Sequence, residues 1–166
     1  MHKKQQRGSA VVEFVLTGIP LLFITIGIFW MSLGMWHFHT LQYASKVTAA
    51  YISTHGGSYV SAGGTSIKVK DVANVLAAQA VGVTPSAITA TFTAGNTTKT
   101  CRLDLCQADS TTVWPPTTDN TTGTDIKVKA VYTFLSAFAM WTPGNSAVSF
   151  ANSYALSGYS HQQILF

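Results

Sequence analysis

Charge is scarce in this chain. Of the 166 residues only 10% are charged, against about 25% in an average soluble domain. Glu13 is the only glutamate, and three of the cations behind the net charge of +4 lie within the first seven residues. The rest of the chain has no Lys/Arg stripe and no RNA-binding aromatic motif. The sequence therefore predicts no nucleic-acid partner.

Patterns for catalysis and cofactor binding are also missing. No Gly-x-Ser-x-Gly elbow is present, and the paired glycines fit no phosphate-binding motif. The five histidines are scattered, and His37 and His39, two residues apart, diverge on a helix and cannot chelate one ion well. We expect these two to lie near lipid headgroups. The chain is predicted to be no enzyme and to hold no metal or cofactor.

Only two cysteines occur, Cys101 and Cys106, and they enclose four residues. In an exported domain such a pair is expected to form a disulfide. A loop this small gains roughly 2 kcal/mol by the chain-entropy relation. The alternative is half of a metal site, but the second cysteine pair that such a site needs is absent.

One long apolar run stands against this background. Residues 14–36 are 23 consecutive residues without charge, and as a helix they would span about 35 Å, enough to cross a bilayer core of about 30 Å. A removed secretory signal is the alternative, but such signals have shorter apolar cores and a small-x-small cleavage site. We therefore expect a retained anchor in the lipid bilayer.

The flanks of this run predict its orientation. Lys3, Lys4 and Arg7 precede it, and the next Lys or Arg on the far side is Lys46. Because basic flanks stay in the cytoplasm, we expect a single-pass protein with a cytoplasmic N-terminus and an exported C-terminal domain.

Apolar spacing divides the chain into a leader at residues 1–8, a long helix at 9–55 and an exported α+β domain at 56–166. Within that domain the pattern predicts a short second helix and half-buried strands. A Ser/Thr-rich surface loop is expected over Asn96–Thr124. The helix is expected over Ile67–Gly82, and the strands over Ala87–Thr93, Ile126–Phe134 and Ala147–Leu156. Ile-Lys-Val-Lys occurs twice, at 67–70 and 126–129, and we expect the first copy to be helical and the second a strand.

The junction between leader and anchor is the most informative motif. Gly8 ends the basic leader, Ser9 begins the apolar segment, and Glu13 followed by Phe14 stands at the fifth and sixth places after the glycine. Glycine leaves the backbone flexible enough for a peptidase. A cut after Gly8 would give Ser9 a new ammonium group that Glu13 could neutralise, in its own or a neighbouring subunit. The alternative role is a carboxylate that favours the helix N-terminus by about 0.3–1 kcal/mol.

The run from Arg7 to Phe14, with the apolar stretch behind it, resembles type IV prepilin-like leaders and, more specifically, the TadE-like family. The resemblance extends through Leu41–Ser45, and a Thr/Pro-rich insertion around Thr111–Thr124 departs from it. It implies a pilin-like α+β fold, with a long transmembrane helix packed on a small antiparallel sheet.

The resemblance further implies a minor pseudopilin of the tight-adherence (Tad/Flp) pilus in the bacterial inner membrane, or outside the cell after assembly. Its partners would be a prepilin peptidase, cutting between Gly8 and Ser9 with Glu13 as recognition glutamate, and other pilin subunits. Two further hypotheses are a major filament subunit and an anchored exported binding protein or enzyme unrelated to pili.

Overall fold

The computed structural model describes residues 6–56, 59, 63–136 and 152–165. The helices are α1 (Gln6–Thr54), α2 (Val69–Gln79) and α3 (Leu103–Ala108), with a short 3-10 helix at Pro85–Ala87. The strands are β1 (Ile88–Ala94), β2 (Thr97–Arg102), β3 (Asp125–Ser136) and β4 (Asn152–Gln163). The fold is α+β and pilin-like, as the sequence predicts. The described residues form two compact units, the first around residues 6–34 and the second around residues 35–135 and 153–165.

Helix α1 is 49 residues long and continues through Pro20. It begins at Gln6, three residues before the Ser9 at which the apolar pattern starts. In the first unit the hydroxyls of Thr17, Thr25 and Ser32 each donate to the carbonyl four residues earlier, at 2.8 Å. These hydroxyls are therefore satisfied by their own helix, as an apolar surrounding requires.

In the second unit the four strands form one sheet in the order β2-β1-β3-β4. Strand β1 is antiparallel to both neighbours, and Phe92 lies opposite Lys99 of β2 and Val128 of β3. Side chains alternate across the sheet, so every second residue of β1 is buried: Ile88, Ala90, Phe92 and Ala94. The threonines between them face the other way, as predicted.

The core of the second unit lies between this buried sheet face and two helices. The apolar stripe of α2 supplies Val69, Val72, Ala73 and Leu76, and the second half of α1 supplies Leu41, Ala44, Ala49 and Ile52. The predicted inward residues of β3 are also confirmed, with Ile126, Val128, Ala130 and Phe134 buried and Tyr132 partly so. The expected packing of the long helix on the sheet is therefore present within this unit.

The prediction of a surface loop over Asn96–Thr124 is wrong for its first part, which holds the two cysteines. That stretch contains β2 and α3. The error has a physical reason: β2 is an edge strand rich in threonine, so it shows no apolar alternation. Threonine nevertheless favours strands when it can pair across a sheet.

Other boundaries differ by smaller amounts. The second helix is Val69–Gln79, shorter than the predicted Ile67–Gly82. The last strand runs on to Gln163, beyond the predicted end at Leu156, and residues 147–151 of that prediction lie outside the described part of the chain. The two Ile-Lys-Val-Lys copies differ as expected: one leads into α2 and the other lies in β3.

Candidate functional site

The first half of α1 exposes large apolar side chains on all sides. Phe14 is 75% exposed, Leu21 68% and Phe29 65%. None of the most apolar 18-residue window of this helix is buried inside the protein. A core helix of a soluble domain buries its apolar stripe. The exposed apolar surface of α1 therefore differs from that of a core helix. By length and composition α1 is able to cross a membrane, although a signal sequence near an N-terminus would meet the same test.

Glu13 lies in this apolar half and its side chain is exposed. Its backbone carbonyl accepts the hydroxyl of Thr17 at 2.8 Å. No side chain in the described part of the chain pairs with its carboxylate. A carboxylate in hydrocarbon costs up to about 3 kcal/mol on insertion scales and less near the edge. Within the described residues, Glu13 is therefore an exposed carboxylate without an ion-pair partner.

The other predicted residues of the junction lie on the same helix. Gly8 and Ser9 are inside α1, and Ser9 and Glu13 are four residues apart. Positions four residues apart lie on the same face of a helix. The structure thus places Ser9, Glu13 and Phe14 within two turns of one helix, whereas Lys3 and Lys4 lie outside the described residues.

Cys101 and Cys106 form the predicted disulfide, with their Cα atoms 5.8 Å apart. The bond joins the end of β2 to α3. It belongs to the second unit, while the junction residues belong to the first. It therefore acts as a local crosslink of the domain, not as part of the junction site.

The aspartates of the second unit are held by nearby donors. Asp109 accepts the Thr112 N–H at 3.0 Å and the Thr112 hydroxyl at 2.8 Å, and the Lys99 ammonium lies 3.2 Å away. These bonds, led by the Thr112 N–H, hold the pKa of Asp109 well below its usual range. These bonds order the turn that follows α3, and this turn contacts the start of α2, because the Lys70 N–H donates to the Asp109 carbonyl.

Two further aspartates behave in the same way. The Arg102 guanidinium lowers the pKa of Asp104 by bonding both of its oxygens, and the Gln163 amide and the His161 ring lower that of Asp125. Within the described ranges no three His, Cys, Asp or Glu side chains converge as metal ligands would.

A comparison with family models gives a match that includes residues of the junction. The model described as TadE-like protein matches residues 8–50. The N-terminal segment of this chain is TadE-like. The match begins at Gly8 and covers about a quarter of the chain, and it confirms the family predicted from the junction. No curated protein and no solved structure matches the chain. The TadE-like segment indicates a protein associated with the Tad pilus, and the TadE-like family is not an enzyme family.

One contact in the second unit was not predicted. The Gln42 amide of α1 donates to the Ser157 carbonyl of β4 at 3.2 Å and accepts the Tyr159 N–H at 3.2 Å. Between these two bonds, Gly158 lies so close to α1 that an added Cβ would be 2.3 Å from the Leu41 carbonyl oxygen. We call these residues the helix–β4 contact. A glycine inside a strand signals such a close approach, but the sequence does not say which backbone approaches.

His37 also differs from its expected place near headgroups. It is buried, and its ring stands edge-on to Tyr132 and Phe134 of β3, with centroids 5.3 and 5.6 Å away. Its Nδ1 has no hydrogen-bond partner among the described residues. His39 is exposed. The reason is the 3.6-residue period, which turns residue 37 toward the sheet with Leu41 and Ala44.

Proposed function

We propose that this chain is a membrane-anchored minor pilin or pseudopilin of a Tad/Flp-type pilus, where it supports pilus assembly or tip function in adhesion or secretion. One observation carries the proposal: the TadE-like match starts at Gly8 and continues through the exposed apolar half of α1. A helix that exposes this surface needs lipid or other apolar helices around it, and in a pilus system both are available in turn.

The proposal includes a processing step. Residues 1–8 are a cytoplasmic leader, which a prepilin peptidase removes by cutting between Gly8 and Ser9. Residues 9–55 then form the anchoring helix, with 14–36 in the bilayer, and residues 56–166 form the exported domain. The basic leader supports this orientation through the positive-inside rule. The Cys101–Cys106 disulfide supports it too, because such bonds persist in oxidising compartments outside the cytoplasm.

Glu13 has a specific role in this scheme. The cut creates an ammonium group on Ser9, one helical turn from a carboxylate that lacks a described partner. In a low-dielectric surrounding the attraction between the two groups is much stronger than in water. Pairing of Glu13 with the Ser9 ammonium of a neighbouring subunit would therefore fix the register between adjacent helices.

Intact mass spectrometry of the protein from its native membrane tests the processing step. We expect a chain that begins at Ser9. A full-length mass in cells with an active prepilin peptidase would contradict the cleavage at Gly8. A Gly8→Val variant, which crowds the cut site, is expected to keep the leader.

Glu13 variants test the assembly step separately. Glu13→Ala and Glu13→Gln should be cleaved normally but fail to enter filaments, and Glu13→Asp should enter in part because it keeps the charge. Thr25→Ala, on the same exposed helix, is the matched control and should assemble like the unaltered chain. Normal incorporation of Glu13→Gln would exclude the charge-pairing role.

The amount of the chain in purified filaments separates a minor from a major subunit. A stoichiometric band would favour the major subunit, and a trace band the minor one. Deletion of the gene should abolish or reduce piliation. Normal pili after deletion would contradict any role in assembly.

A further inference from the structure

The sheet of the second unit has an outward face with a regular composition. Alternation along β1 places Thr91 and Thr93 opposite to the core. In the register of the sheet, Thr91 lies between Thr100 of β2 and Lys129 of β3, and Thr93 lies between Thr98 and Lys127. The face therefore repeats a Thr-Thr-Lys row twice. We call these six residues the Thr/Lys face.

The two threonine hydroxyls of each row bond each other, but this bond does not use all of their hydrogen-bonding capacity. The hydroxyl oxygens of Thr91 and Thr100 are 3.1 Å apart, and those of Thr93 and Thr98 are 3.2 Å apart. Two hydroxyls carry two protons and four lone pairs, and one bond between them uses one of each. Each pair therefore keeps a donor and several acceptors for a ligand. Successive rows are about 6.8 Å apart along the strands.

The lysines of the face are exposed, and neither has an ion-pair partner among the described residues. The nearest carboxylate along β3 is Asp125, which already bonds Gln163 and His161. Lys127 is attracted electrostatically by Asp125, but neither lysine forms an ion pair among the described residues, so both remain able to attract an anion from outside the chain.

Three of the five described carboxylates of the second unit, those of Asp104, Asp109 and Asp125, already lie beside a basic side chain of the same chain, so a second copy of this domain offers few acidic groups to the Thr/Lys face. Asp71 accepts the Lys68 N–H, Asp104 bonds Arg102, and Asp109 bonds Lys99 and Thr112. Asp119 accepts the Thr97 hydroxyl. A partner that complements the Thr/Lys face must therefore supply acidic groups of its own.

We propose that the Thr/Lys face binds an acidic polysaccharide. Its carboxylates would pair with Lys127 and Lys129, and its ring hydroxyls would exchange hydrogen bonds with the two threonine pairs. A duplex nucleic acid carries one charge per about 1.7 Å and is bound by denser cations. Single strands stack on rows of aromatic rings, which the Thr/Lys face does not contain. A ligand rich in hydroxyls with spaced carboxylates matches two lysines among threonines better.

This proposal depends on residues of the second unit alone. It does not require cleavage at Gly8, pairing of Glu13 or entry into a pilus, so its test is independent of the proposed function. The measurement uses the full chain in detergent micelles and records binding to immobilised alginate oligomers, which are polyuronates, at low and moderate salt. Dextran oligomers of similar length serve as the neutral probe.

The repeated tetrapeptide supplies a matched control. Lys127→Gln/Lys129→Gln removes both cations of the face, while Lys68→Gln/Lys70→Gln removes two exposed cations from the same Ile-Lys-Val-Lys sequence beside α2. Each exposed ion pair contributes about 0.2–1 kcal/mol. Because the first variant loses two such pairs, we expect it to bind alginate about 2- to 30-fold more weakly. The second should bind like the unaltered chain. Thr91→Val, which leaves both lysines of the face in place, should also weaken binding to alginate, and this effect should persist at higher salt.

Four results would overturn the proposal. The first is equal loss of binding in the two double-lysine variants, which would indicate general attraction to a basic protein. The second is equal binding of dextran and alginate by the unaltered chain. The third is tighter binding of a DNA duplex than of alginate at the same salt concentration, which would assign the face to nucleic acid. Unchanged binding by Lys127→Gln/Lys129→Gln would remove the face from the interaction altogether.

Discussion

Gly158 controls how closely β4 approaches α1, and its replacement by alanine is the sharpest test of the helix–β4 contact. An added Cβ would lie 2.3 Å from the Leu41 carbonyl oxygen and 2.8 Å from the Ser45 hydroxyl, whereas ordinary contacts are 3.4–4 Å. The nearest obstacle is backbone, which cannot rotate away. Strand and helix must therefore separate by about 1 Å.

Such a separation has two costs. Overpacking in a core typically costs about 1–3 kcal/mol. The two bonds of Gln42 to β4 are already 3.2 Å long, so a further 1 Å would break them at about 0.5–1.5 kcal/mol each. We expect Gly158→Ala to lower the free energy of unfolding by about 2–6 kcal/mol. For a domain of about 100 residues this lowers the Tm by at least about 8 °C.

Thermal unfolding of the full chain in micelles, followed by near-ultraviolet circular dichroism, measures this effect. Ser157→Ala is the matched control, because its side chain is exposed on the same strand and should not matter. When it is added to Gly158→Ala, Ser45→Ala should recover only a small part of the lost stability. It removes the clash with the Ser45 hydroxyl but not the clash with the Leu41 carbonyl. A Gly158→Ala protein with the Tm of the unaltered chain would refute the close approach of strand and helix.

Three further perturbations test other parts of the domain. In a denaturant titration, Cys101→Ser/Cys106→Ser should lower the free energy of unfolding by about 2 kcal/mol, because the disulfide no longer restricts its small loop in the unfolded chain. Adding reductant to this variant should have no further effect. His37→Phe should leave the free energy of unfolding unchanged or raise it, because the ring contacts remain and a buried nitrogen without a hydrogen-bond partner is removed. In the same titration, His37→Ala should lower the free energy of unfolding by roughly 2–4 kcal/mol. Asp109 has a depressed pKa in the folded state, so its stabilising effect is present above the unfolded carboxyl pKa of about 3.9 and is lost as pH falls below it. The difference in unfolding midpoint between the unaltered chain and Asp109→Asn should therefore shrink between about pH 4 and pH 2, and a constant difference would contradict the assignment.

The sequence predicted those features of the fold that depend on local periodicity. The helix around Val72 and the strands around Phe92 and Val128 follow directly from spacings of 3.6 and 2 residues. The TadE-like resemblance was predicted equally well, because Gly8 and Glu13 at a fixed distance before an apolar run form a local motif. It needs no knowledge of tertiary structure.

Features that depend on distant pairing were not predicted. Strand β2 exposes Thr98 and Thr100 and buries little, so only its pairing with β1 reveals it. The position of His37 likewise depends on two aromatic rings nearly 100 residues away. Gly158 could be suspected of a close approach, but its neighbour is the Leu41 carbonyl, and no local pattern contains that information.

The two halves of α1 differ in the surfaces that they present. The first half exposes large apolar side chains on all sides, and the hydroxyls of Thr17, Thr25 and Ser32 bond their own helix, whereas the carboxylate of Glu13 has no ion-pair partner among the described residues. The second half instead presents small side chains to the sheet, Ala44, Ser45, Thr48 and Ala49, all of them buried. Small residues let a strand approach the helix backbone directly, and Gly158 of β4 uses that space. Because the TadE-like match ends at residue 50, it includes the helix side of this contact but not the strand side. The attachment of the domain therefore depends on a residue outside the segment that carries the family resemblance, and a loss of Gly158 should loosen the domain without affecting the junction at Gly8 and Glu13.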